Sequence, residues 1–95
     1  MKILAMEKEN KAATAAEFER WGKEEAQQVW HLYKSEKIRE IYFRGDKRAA
    51  VIMLECEGLD EARVILSQLP FVKNKLIDFD IIPLIPYDGF ERLFG

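Results

Sequence analysis

Any chemistry in this chain falls to carboxylates, arginines and tyrosines, because it contains a single histidine, His31, a single cysteine, Cys56, and no metal-spaced cluster. A carboxylate in partly apolar surroundings can take a proton from a carbon beside a carbonyl, provided a donor holds the developing enolate oxygen. Glu55, Asp78 and Asp80 are the candidate catalytic bases. Glu55 shares a strand face with Val51 and Met53, and Asp78 and Asp80 share one with Leu76, Ile82 and Leu84, so partial burial would raise their pKa values. Tyr42, Arg44 and Arg39 are the candidate substrate-binding groups, since arginine grips a carboxylate or enolate through a charge-assisted fork. Each has a plainer role: the carboxylates as strand-end charges paired with Arg39, Arg44 or Arg48, and Tyr42 in cross-strand packing.

Other chemistry-bearing residues read as structural. His31 falls on the polar side of its helix with Arg20, Glu24, Gln27 and Lys34, toward water. Cys56 has no second thiol or neighbouring histidine to activate it and reads as a small buried hydrophobe. Trp21, Trp30 and Tyr33 read as core rather than as an aromatic cage. No glycine-rich phosphate loop or hydrolase elbow is present, so no metal and no cofactor is expected.

The elements that must position these groups follow from periodicity. Residues 3–8 read as a first strand. Thr14 and Glu17 have capping-box spacing and open a helix in which Phe18, Gly22, Ala26, Val29 and Tyr33 face the sheet, with Trp21 and Leu32 on one flank and Trp30 on the other. Gly22 implies close approach of a neighbouring element. Strands are expected over 37–44 and 48–57, joined by the turn Gly45-Asp46-Lys47. The run Ala49 to Leu54 does not alternate, which means burial on both sides. A second helix is capped by Asp60, carries Ala62, Ile65, Leu66 and Leu69 inward, and is stopped by Pro70. The last strand covers 76–84, and Pro83 places it at an edge or leaving the sheet.

This order predicts an α+β, ferredoxin-like βαββαβ unit: a four-stranded antiparallel sheet with two helices on one face. The other sheet face would be an apolar patch too large for a soluble monomer. Two such faces can close with twofold symmetry into a dimeric α+β barrel, with the tail 86–95 packed on the partner.

Composition bounds the rest. Ninety-five residues make one domain, 1–95, and the 15 basic and 17 acidic side chains nearly cancel, which points away from nucleic acid and from anionic membranes. The charge-interrupted apolar run at the start is too short for a signal or a span, and a lone cysteine fits a reducing cytoplasm.

The stretch Lys37-Ile38-Arg39-Glu40-Ile41-Tyr42, followed by Asp60-Glu61, Leu66-Ser67, Leu69-Pro70 and Pro83-Leu84, resembles the muconolactone δ-isomerase family. The resemblance runs from about His31 to Leu84, with a small insertion after Pro70. It implies a dimeric α+β barrel and a cofactor-free shift of a double bond in a lactone by proton transfer next to a carbonyl, in the breakdown of aromatic compounds. The wider superfamily includes cofactor-independent oxygenases. Two expectations stand side by side: a small cofactor-free isomerase or monooxygenase acting on a hydrophobic cyclic metabolite, and a non-catalytic dimeric ligand-binding or assembly module.

Overall fold

A computed structural model describes residues 1–95. The chain runs β1 (Lys2–Glu9), α1 (Ala15–Lys34), β2 (Ile38–Phe43), β3 (Ala50–Glu55), α2 (Leu59–Ser67), α3 (Pro70–Lys73) and β4 (Ile77–Leu84), then a 3₁₀ turn at Gly89–Leu93. The strands form one sheet in the order β2-β3-β1-β4, every neighbouring pair antiparallel. This is the expected ferredoxin-like βαββαβ unit, with its helices on one face.

Local chemistry sets the helix ends. At the start of α1 the Glu17 amide donates to Thr14 Oγ1 at 3.3 Å and the Thr14 amide to Glu17 Oε1 at 3.1 Å, so both members of the capping box are engaged. The chain leaves α1 through Glu36, whose φ of 66° turns it back into β2. Asp60 does not cap α2. Gly58 holds that position without a side-chain bond, and Asp60 lies in the first turn, 3.4 Å from Arg63. Glu61 does the tying instead, accepting the Glu57 amide and the Lys37 ammonium, each at 2.9 Å. Pro70 is more than a stop: it holds Leu69 extended and then opens α3, where a missing N–H costs nothing.

The register sorts the strand residues onto two faces. Ile3 pairs with Leu54, Ala5 with Ile52 and Ile81, and Glu7 with Phe79, all toward the helices. Ile3, Ala5, Ile38, Ile52, Leu54, Ile77 and Phe79 are buried there against Leu32 of α1 and Ala62, Ile65 and Leu66 of α2. The opposite face carries two cross-sheet rows, Tyr42–Val51–Met6–Asp80 and Glu40–Met53–Leu4–Ile82, and no helix covers it. A bulge between Ile38 and Glu40 restores the alternation that β2 needs to put both Ile38 and Ile41 inside. Leu76 departs from the expected pattern: it precedes β4, is 1% exposed, and belongs to the helix-side core.

Helix α1 is rotated from its expected orientation. Leu32 is its one fully buried residue, whereas Trp30 and Tyr33 stack on each other with ring centres 6.1 Å apart on the outer side. Nothing lies within 4 Å of where a Cβ on Gly22 would stand, so this glycine marks open space and not a close approach. That space is a cleft.

Candidate functional site

Glu25 is the carboxylate that α1 turns inward. It follows Gly22 by three residues and precedes Val29 by four, which places it on the apolar stripe with Phe18. Its Oε1 accepts the Phe71 amide at 2.9 Å, which satisfies an N–H in the first turn of α3 that has no helical partner. Its other oxygen accepts no protein hydrogen bond. Burial pushes the Glu25 pKa above the usual carboxylate value, the Phe71 amide opposes this, and the charge of Glu7 adds to the rise.

Glu7 reaches the same space from β1. Alternation from Ile3 and Ala5 puts it on the helix side, and its Oε1 accepts the Ala50 amide at 2.9 Å, near the end of the β1–β3 ladder. Between these two carboxylates lies a cleft of about 720 Å³. Phe18, Gly22 and Val29 of α1 form one wall, with Phe71 at the end. Ile41, Tyr42 and Phe43 of β2 form the other, and Arg48 stands on the hairpin. Phe18 and Phe71 meet edge-to-face with ring centres 5.1 Å apart, which ties α3 to α1 beside the cleft. A carboxylate with a raised pKa and a free oxygen in an aromatic, ring-sized cleft has the composition of a proton-transfer site.

The six residues singled out from sequence do not converge. Glu55 ends an open-face row and meets the Met1 amine at 2.7 Å, a bond that lowers its pKa. Asp80 pairs with Lys8 at 3.0 Å, and Asp78 accepts the Phe79 amide at 2.9 Å, both exposed on β4. Asp80 and Tyr42 share a row but sit three strands apart, roughly 14 Å at the usual strand spacing. Arg44 lies just past β2 and forks onto Asp46 at 2.8 and 2.6 Å. Arg39 donates to the Glu36 carbonyl at 3.0 Å. Of the six, only Tyr42 borders the cleft, and its side chain belongs to the uncovered-face row, where its hydroxyl donates to Glu40 at 2.9 Å. No group of three or more His, Cys, Asp or Glu side chains converges as a metal ion would need.

Cys56 is buried, its thiol pushed up in pKa mainly by that burial, and His31 is exposed on the outer side of α1. Both match their structural readings. No helix is long and apolar enough to cross a membrane.

A β2-β3-β1-β4 antiparallel sheet with its helices on one face defines a ferredoxin-like α+β architecture. Within that class the chain is similar to muconolactone isomerase, with a TM-score of 0.76 over 94% of this chain and 93% of that one, at 14% identity. It is also similar to the 5-chloro-2-hydroxyhydroquinone dehydrochlorinase TftG from Burkholderia phenoliruptrix AC1100, solved with 2,5-dihydroxybenzoquinone, with a TM-score of 0.67 over 94% and 98% of the two chains at 16% identity. At these identities the likeness establishes the fold. No protein-family model and no curated protein matches the chain by sequence.

Proposed function

We propose that this chain is a cofactor-free isomerase that moves a proton on a small lactone or oxygenated ring, with Glu25 as the base. The observation that carries the reading is Glu25 itself: a carboxylate on an apolar stripe, one oxygen fixed by a backbone amide and the other free, facing a cleft of about 720 Å³. Its ionised form would take a proton from carbon beside a carbonyl, the electron pair moving onto the carbonyl oxygen as an enolate. Returning the proton to the far carbon of the conjugated system regenerates the carboxylate and shifts the double bond. Atoms and electrons balance with no other reactant. The similar structures named for a muconolactone isomerase and a hydroxyquinone-bound dehydrochlorinase support oxygenated rings as the substrate class.

The same reading makes the molecule a homodimer. Ile82 and Leu84 are 44% and 37% exposed beside Leu4, Met6, Val51 and Met53, an apolar sheet face that a second copy would cover. The Cα radius of gyration of 15.4 Å exceeds the roughly 12 Å of a compact chain of this length, and the tail 86–95 projects with Tyr87, Phe90, Leu93 and Phe94 exposed. In this reading the tail packs on the partner.

Incubation with muconolactone and related lactones in D₂O tests the activity. Deuterium should enter at the carbon that receives the returned proton, and Glu25→Gln should slow entry by on the order of a hundredfold or more. Binding without any exchange across the panel would instead favour the non-catalytic module.

A further inference from the structure

We propose that Arg48 makes this cleft selective for anions, so that its ligand is a flat ring bearing a carboxylate or another anionic oxygen, held at the mouth by the guanidinium. The assignment rests on the cleft being the ligand site. Arg48 and Phe43 both line it, and the Arg48 guanidinium carbon stands 4.2 Å from the centre of the Phe43 ring. Stacking on an aromatic face fixes the plane of a guanidinium and leaves its N–H edge directed outward, the geometry that suits a planar acceptor with two oxygens.

That edge has no protein partner. Arg44 is forked onto Asp46, Arg63 meets Asp60, and Arg39 donates to a main-chain carbonyl. Arg48 forms neither an ion pair nor a hydrogen bond, although Glu7, Glu9 and Glu25 line the same cleft. The competing occupant is an aromatic amine, drawn by the three glutamates. It is disfavoured because Glu7 and Glu25 each already have an oxygen engaged by a backbone amide, and because a cation would meet Arg48 at the entrance. With an anionic group on Arg48, the ring lies toward Phe18 and Phe71, which brings a ring C–H to the Glu25 side of the cleft.

Titrating the full chain with naphthoate, its neutral counterpart naphthamide, and naphthylmethylamine, followed by backbone amide NMR, tests this. Naphthoate should shift the Phe18, Gly22 and Phe71 amides and bind at least about fivefold tighter than naphthamide. Arg48→Gln should weaken naphthoate by about tenfold and leave naphthamide unchanged, with Arg48→Lys between, since lysine keeps the charge and loses the stack. Equal affinity for acid and amide, tightest binding of the amine, or an Arg48→Gln effect common to acid and amide overturns the assignment to Arg48 while leaving the cleft as a ligand site. No shift with any of the three overturns both.

Discussion

The Phe71 amide donates to Glu25 Oε1 at 2.9 Å while the ring of the same residue stands edge-on to Phe18, so α3 is clipped to α1 by a polar and an apolar contact at once. Glu25 therefore holds α3 against α1 as well as facing into the cleft. The two roles separate by substitution. Glu25→Ala leaves a half-buried N–H without an acceptor and should destabilise the fold by about 1–2 kcal/mol. Glu25→Gln keeps the amide acceptor without the desolvated charge, and should be neutral or stabilising by about 1 kcal/mol or less at neutral pH, while losing proton exchange. Urea denaturation of both variants checks this, and equal losses of stability would contradict it.

The pH dependence has a definite sign. The folded-state pKa of Glu25 lies above its unfolded value, chiefly through burial, so the folded chain binds the proton more tightly. Its stabilising contribution is fully present below the usual carboxylate range and is lost as pH rises through the raised value. Asp46, Glu55 and Glu61, each held low by a hydrogen-bonding partner, act the other way: their contribution is present above the usual range and lost as pH falls. Subtracting the Glu25→Gln stability curve from the wild-type curve isolates Glu25. The difference should fall with rising pH across that window, and a flat or rising difference would be the wrong result. Turnover, which needs the ionised base, should rise over the same window.

Gly22 gives a third test, because a Cβ there meets nothing within 4 Å. Gly22→Ala should stabilise the chain by roughly 0.5–1 kcal/mol, the helix-interior difference between the two residues, with thermal denaturation as the readout. Gly22→Phe would project a ring into the cleft and should abolish ligand-induced amide shifts at Phe18 and Phe71 while the fold remains. Unchanged binding by the phenylalanine variant would remove the cleft from consideration.

The element order, the capping box at Thr14 and the uncovered apolar sheet face could be read from the chain, because each depends on a short repeat or a local hydrogen bond. The site depended on more. Phe18, Gly22, Glu25 and Val29 follow a four-three-four spacing, and Ile3, Ala5 and Glu7 alternate, so both inward carboxylates carried a signal. What no such spacing supplies is the rotation of α1 about its axis. Leu32 and not Tyr33 is buried, and that rotation aims Glu25 at the cleft. Asp60 does not cap α2 for a related reason: Glu61 reaches both the Glu57 amide and Lys37, a contact 24 residues away in sequence that no local pattern reveals.

Met53 pairs with Leu4 and with Glu40, and Leu4 in turn with Ile82, so Met53 stands in the middle strands of a row that no helix covers. If a second copy closes over this row, an aspartate at position 53 must bury an unpaired charge, at a cost of several kcal/mol, whereas in a free monomer it would sit in water. Met53→Asp should therefore give a monomer by sedimentation while far-ultraviolet circular dichroism stays native, since Ile52 and Leu54 still pack on the helix side. Removing 86–95 should weaken the dimer by tenfold or more, because Tyr87, Phe90, Leu93 and Phe94 find no cover within their own chain. A wild-type chain that sediments as a monomer at high concentration would leave both variants nothing to disrupt, and would require the exposed sheet face and the projecting tail to be stable in water as they stand.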